Sequence, residues 1–102
     1  MTRKEKLIYL AGIVDGEGHF YIPNIKPGGR NKAYPTPCLV IANTDLNLLK
    51  WIMDNFGGYI NTPKGKTCSQ WRLYHNKAVK LTKELMPYLI VKTHQAQPLI
   101  DL

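Results

Sequence analysis

Two carboxylates, Asp15 and Glu17, stand among Gly12, Gly16 and Gly18. Carboxylate oxygens are hard ligands of the kind Mg²⁺ prefers, and Mg²⁺ keeps water or phosphate in most of its other positions. Glu17 suits that use, because glycines on both sides let another backbone come close. The plain alternative is a solvated surface acid. Asp15 suits either a water-mediated place beside a cation or hydrogen bonds from nearby backbone N–H groups, the second being a structural role. Lys92 follows the apolar run Leu89-Ile90-Val91. A lysine there can stabilise developing negative charge, or simply extend its ammonium to solvent. His19, His75 and His94 lack zinc spacing. His19 is near enough to Glu17 in sequence to meet a phosphate or a water, but a packed or solvated imidazole is the simpler reading. Cys38 and Cys68 are too few for a disulfide framework, lack C-x-x-C spacing, and fit reduced thiols. Pro27-Gly28-Gly29 lacks the Lys-Ser/Thr and the following helix of a nucleotide-binding loop.

A helix must deliver the two acids. Thr2-Arg3-Lys4-Glu5 has the form of a capping box, and Leu7, Leu10, Ala11 and Val14 recur at helical spacing. A helix is therefore predicted from about Thr2 into a turn, with Glu17 just past its end. Three glycines within seven residues weaken a lone helix by roughly 1 kcal/mol each. Gly12 and Gly16, one turn apart on a second face, would admit a second helix, and that packing would compensate. Acids at a helix C-terminus oppose the dipole, so a cation is expected beside them.

Past Gly18 the period changes. Residues 20–26 and 38–43 predict two strands of a long hairpin, with Pro27-Gly28-Gly29-Arg30-Asn31-Lys32 as its basic tip. Thr44 or Asp45 caps a second helix whose stripe is Leu48, Leu49, Ile52, Met53 and Phe56, and Gly57-Gly58 end it. Residues 59–62 and 67–75 predict a second hairpin around Pro63-Lys64-Gly65-Lys66. Asn76 is expected to cap a third helix over 77–86, stopped or restarted at Pro87. A last helix is expected over 93–102, with Pro98 inside it. The order α-ββ-α-ββ-α plus a tail helix predicts a single α+β domain over residues 1–102, with one four-stranded antiparallel sheet. Helices on one face would bury Leu39, Ile41, Ile60, Trp71 and Leu73. The other face is left with Asn24, Lys26, Asn61, Gln70 and Arg72. The loops add Arg30, Lys32, Lys64 and Lys66, with Tyr34 beside them. Tyr21, Tyr34 and Tyr74 suit either nucleic-acid contact or half-buried sheet positions.

Fourteen Lys+Arg against seven Asp+Glu give a net charge of +7, which favours an anionic partner. Nucleic acid fits better than a membrane surface, since no helix pairs a basic face with a broad apolar one. No apolar run approaches the roughly 20 residues a bilayer span needs. The start of the chain does not read as a signal peptide. An intracellular setting is expected: cytoplasm, nucleoid or organelle matrix. A two-stranded ribbon with a basic tip fits the major groove of double-stranded DNA.

The stretch Leu10-Ala11-Gly12-Ile13-Val14-Asp15-Gly16-Glu17-Gly18 resembles the motif that names the LAGLIDADG homing endonucleases. The element order matches that family's fold, a curved saddle lying on DNA. Asn43-Thr44-Asp45, Leu48-Leu49 and Phe56-Gly57-Gly58-Tyr59-Ile60 look like its second-helix region. Pro87-Tyr88-Leu89 with Lys92 and Gln95-Ala96 look like the segment that carries a basic active-site residue. The resemblance covers nearly the whole chain. It implies a site-specific, metal-dependent endonuclease cutting double-stranded DNA with Mg²⁺, for which Mn²⁺ can substitute, encoded in a mobile intron or intein. It assigns Glu17 and Gly16 to the metal and Lys92 to the scissile phosphate. Asp45 joins the catalytic candidates because relatives often have Gln there, in a water network; an acid is a departure, and capping the second helix explains it as well. Leu49 stands where some relatives have a basic side chain. One motif per chain implies a homodimer through Leu10, Ala11, Gly12, Asp15 and Gly16, reading a palindromic or near-palindromic target. DNA contact then falls to Asn24, Lys26, Arg30, Lys32, Tyr34, Asn61, Lys64, Lys66, Gln70 and Arg72. The altered Asp45 and Leu49 positions keep a rival open: a non-catalytic binder of the same fold, a maturase or regulator. Another rival is one lobe of a longer two-motif enzyme.

Overall fold

The first helix, α1 (Arg3–Glu17), begins as its sequence demands. Thr2 accepts from the backbone of Glu5, and the Glu5 carboxylate accepts from the N–H of Thr2. Leu7, Leu10, Ala11 and Val14 are the buried face. At its far end the structure departs from the expected turn. The helix runs through Glu17, and strand β1 (Gly18–Tyr21) starts at the next residue. Glycine is what permits this: a Cβ at position 18 would lie 2.8 Å from the Cα of Val14.

The computed structural model describes residues 1–102 except Pro27, Gly29 and Arg30. The strand expected over 20–26 is interrupted at Ile22-Pro23, because proline has no N–H for the ladder. The hairpin continues as a separate two-stranded ribbon, β2 (Asn24–Ile25) with β3 (Tyr34–Pro35), tied in by the Thr36 N–H donating to the Pro23 carbonyl at 2.8 Å. Strand β4 (Cys38–Asn43) has the predicted bounds. Helix α2 (Leu46–Phe56) is capped by Asp45, whose Oδ1 accepts from the N–H groups of Asn47 and Leu48. Gly57 and Gly58 end it at φ of 80° and 86°. A Cβ on Gly58 would lie 2.5 Å from the Arg72 carbonyl.

Strands β5 (Tyr59–Asn61) and β6 (Ser69–Tyr74) form the second hairpin, each shorter than predicted. Helix α3 (His75–Leu85) starts earlier than expected, and Asn76 is not its cap. Instead the chain bends at His75, at φ of 63°, whose N–H donates to the Pro37 carbonyl. A 3₁₀ turn (Met86–Tyr88) contains Pro87, and helix α4 (Thr93–Ile100) keeps Pro98 inside it.

Among the described residues the four main strands form one antiparallel sheet in the order β1-β4-β6-β5. Leu39, Ile41, Trp71 and Leu73 are buried beneath the helices, and Ile60 is partly buried. The indole of Trp71 donates to the Gly57 carbonyl at 2.8 Å, so the largest buried side chain also closes the end of α2. Cys38 and Val40, which alternate with Leu39 and Ile41 along β4, are buried as well. Cys38 pairs across the strands with Tyr21 and Tyr74, which shield it on the face away from the helices. No helix among the described residues is long and apolar enough to cross a membrane.

Candidate active site and nucleic-acid interface

Two residues apart on α1, the acids face different neighbours. Asp15 accepts from the backbone N–H groups of Ile90 (2.8 Å), Val91 (3.1 Å) and Lys92 (3.1 Å). Burial alone would push its carboxyl pKa up; these three donors and the nearby Lys92 charge outweigh that and hold it below the usual aspartate value. Asp15 thus clamps the segment before α4 onto the end of α1. The clamp places Lys92, whose ammonium donates to the Gly18 carbonyl. This is the cation expected at the C-terminal end of α1, where the dipole favours positive charge.

Glu17 is exposed and lies beside the end of β4. Asn43 donates through its amide to Glu17 Oε2 at 2.6 Å, and the same amide's oxygen accepts from the Asp45 N–H at 2.7 Å. Asn43 therefore holds the acid while being held itself. The sequence offered Asn43 only as part of a family-like segment and gave it no role: Asn-x-Asp reads as a local turn, and its partner is 26 positions away. The other Glu17 oxygen has no hydrogen-bond partner among the described residues. The Gly16 carbonyl lies in the last turn of α1, where helical carbonyls lack an intrahelical donor. These oxygens fit a hard cation, but only as part of a shell. Among the described residues no group of three or more His, Cys, Asp or Glu is placed to hold a metal. Further ligands must come from water, phosphate or a second chain.

The catalytic candidates do not all converge. Asp45 spends one carboxylate oxygen on the cap of α2. Leu49 is wholly buried. Among the residues expected at a subunit interface, Leu10 and Ala11 are wholly buried in the chain's own core and present nothing to a partner. Their inward position follows from sharing a face with Leu7 and Val14. Asp15 is taken up by residues 90–92. What α1 leaves open is a groove lined by Ile8, Tyr9, Gly12, Ile13, Gly16, Glu17 and Leu48. Apart from the adjoining backbone of α1, no atom of the described residues lies within 4 Å of a Cβ built on Gly12 or Gly16.

The sheet face away from the helices carries His19 and Tyr21 on β1, Gln70, Arg72 and Tyr74 on β6, and Asn61 beside Gln70 on β5. His19 stacks on Tyr21 at 5.1 Å, and Tyr59 on Tyr74 at 6.1 Å. Arg72 donates to Gln70, Tyr21 and Tyr74. Burial pushes the Tyr74 phenol up to about 12, with the Arg72 charge pulling the other way. Asn24, Lys26 and Tyr34 are exposed on or beside the β2·β3 ribbon, and Lys32 lies over the Tyr34 ring at 5.7 Å. Lys64 and Lys66 are exposed at the tip of the second hairpin. Arg30 lies outside the described residues. Tyr59 was not among the expected contacts; its place became visible only through its pairing with Arg72. Residues 18–43 and 59–74 hold Lys26, Arg30, Lys32, Lys64, Lys66 and Arg72 and no acid. The acids Glu5, Asp15, Glu17, Asp45, Asp54, Glu84 and Asp101 all lie in helices or at their caps. The hairpins thus carry uncompensated positive charge.

A four-stranded antiparallel sheet with basic hairpins, and a glycine-lined helix ending in acids, define a protein class. The family model for the LAGLIDADG endonuclease matches residues 10–97. The chain belongs to that family. No curated protein matches it. Among solved structures it is similar to the homing endonuclease I-CvuI in complex with a DNA target in the presence of Mg, with 21% identity and a TM-score of 0.83. That match covers 96% of this chain and 65% of I-CvuI, so the chain spans about two thirds of that relative's length. The archaeal intron-encoded homing endonuclease I-Vdi141I complexed with DNA matches at 18% identity and a TM-score of 0.79, covering 98% of this chain and 67% of that one. I-SmaMI bound to cleaved DNA matches at 16% identity and 0.78, covering 93% of this chain and 34% of that one. At these identities the likeness establishes the fold.

Proposed function

We propose that this chain is one subunit of a homodimeric, Mg²⁺-dependent endonuclease that cuts both strands of a palindromic or near-palindromic DNA site. The reading rests on Glu17: an exposed carboxylate, fixed by Asn43, beside an open glycine groove and acid-free basic hairpins. Packing a second α1 into that groove brings two Glu17 side chains together, supplying the donors that one chain lacks. Bound metal supplies a nucleophilic water and stabilises the leaving oxygen. Glu17 and the Gly16 carbonyl would hold the ion, with Asn43 orienting the carboxylate and Lys92 offering positive charge near the scissile phosphate. The hairpins lie along the DNA, one half-site per subunit. I-CvuI has been seen on DNA with Mg and with Ca, and divalent dependence is carried over from there.

The decisive experiment is selection of cleaved sites from a randomised DNA library, repeated with Glu17→Gln. The parent should cut a near-symmetric site with Mg²⁺ or Mn²⁺. Glu17→Gln should bind that site as well as the parent and cut it slower by several orders of magnitude. Full metal-dependent cutting by Glu17→Gln would falsify the assignment. A second reading, a non-catalytic binder such as a maturase or regulator, draws on the capping role of Asp45 and the burial of Leu49. Tight binding of one site with no cutting would favour it.

A further inference from the structure

On the open sheet face, Arg72 uses up the acceptors around it. Its Nε (3.1 Å) and Nη2 (2.6 Å) both donate to Gln70 Oε1. Its Nη1 donates to the hydroxyls of Tyr21 (2.8 Å) and Tyr74 (3.0 Å). A guanidinium has donors and no acceptor, so Gln70 must turn its oxygen to Arg72 and its amide NH₂ away. A free glutamine reads adenine with both ends, accepting from N6–H and donating to N7. Here both lone pairs of the oxygen are taken. The two tyrosine hydroxyls accept from a cation, which polarises them toward donating. Four of the five N–H donors of Arg72 are engaged, so a two-pronged contact with guanine requires it to release at least one of these partners. Next to Gln70 across the sheet stand Asn61 and Ala42, and the small Ala42 leaves space at the amide.

We propose that this network makes Gln70 a donor-only reader: the base facing it is selected for acceptors alone on its major-groove edge, so guanine is preferred and adenine rejected. Arg72 is the positioning residue that enforces the choice. Guanine offers two acceptors, N7 and O6, against the single O4 that thymine shows beside its methyl group, whereas adenine N6 and cytosine N4 oppose a donor with a donor. The proposal rests on the DNA-binding reading above and adds a base preference to it.

The test is selection of bound duplexes from a randomised library in Ca²⁺, with the parent, Gln70→Ala and Arg72→Met. The position that loses its preference in Gln70→Ala belongs to Gln70. There the parent should favour guanine over adenine by about 5- to 150-fold. Arg72→Met frees the oxygen and should move the preference toward adenine. Adenine chosen by the parent, a preference untouched by Arg72→Met, or no position altered by Gln70→Ala would each overturn the proposal. In those cases the parent still selects a sequence, and the DNA-binding reading stands. A parent that enriches no sequence overturns both. A measurement on the unaltered protein covers the event that Arg72→Met does not fold. With 7-deazaguanine at the position, the lost N7 should weaken binding. Unsubstituted purine, lacking the 6-amino donor, should bind better than adenine. Equal binding of purine and adenine overturns the proposal.

Discussion

Asp15 and Glu17 have different roles because a helix turns roughly 200° across two residues. One side chain reaches the segment before α4, the other the end of β4. Asp15 accepts three backbone hydrogen bonds in the folded chain that it lacks when unfolded. Removing them with Asp15→Ala should cost roughly 1–3 kcal/mol. The pH dependence follows from its lowered pKa. The stabilisation is fully present above the unfolded value, about 3.9, and is lost as pH falls below it through the depressed folded value. Denaturant titrations between pH 5 and about 2 should therefore show a steeper loss for the parent than for Asp15→Asn. Parallel curves would mean that the clamp contributes nothing to stability.

At the scale of elements, Asp45 separates a structural role from a catalytic one. Its carboxylate satisfies two N–H groups that begin α2, and its own N–H steadies Asn43. Asp45→Ala deletes the first of these and keeps the second. It should lower stability by about 0.5–2 kcal/mol, while cleavage, measured well below the melting temperature, changes by only a few fold. Loss of cutting at unchanged stability would return Asp45 to the catalytic set. Gly12 tests the exposed face of α1. Because a Cβ at that position meets no other part of the described chain, Gly12→Leu should strengthen the isolated helix by about 0.5–1 kcal/mol. Its expected effect is on association: sedimentation should change from dimer to monomer, with cleavage falling alongside. A Gly12→Leu protein that stays dimeric and active would place the subunit contact elsewhere.

For the whole molecule, what matters is where the charge lies. A net charge of +7 is spread unevenly, with the hairpins basic throughout and every acid in the helical layer. Binding to DNA should weaken with salt, by about 0.9 in the log–log slope for each phosphate neutralised. Lys64→Ala with Lys66→Ala should reduce that slope by about 2 per subunit and weaken all sequences alike. A change in base preference without a change in slope would mean that these lysines read bases.

Local physics was legible from the amino acids. The capping box at Thr2, the buried stripe Leu7-Leu10-Ala11-Val14, the bounds of β4 and the alternation along β6 follow from neighbours within a few residues, and the structure has them. The family resemblance was legible too, because the motif is contiguous. Proline gave weaker guidance: Pro23 interrupts the first hairpin, while Pro98 stays inside α4. Only the tertiary structure decided what each polar group meets. Asn43 finds Glu17, Asp15 finds residues 90–92, and Lys92 finds the Gly18 carbonyl. Arg72, expected on the polar sheet face as a DNA contact, is held by Gln70, Tyr21 and Tyr74. These partners lie on different strands and helices. Hydrophobic periodicity states which face of an element turns inward, but the pairing of outward side chains depends on strand register and helix placement, which no local pattern contains.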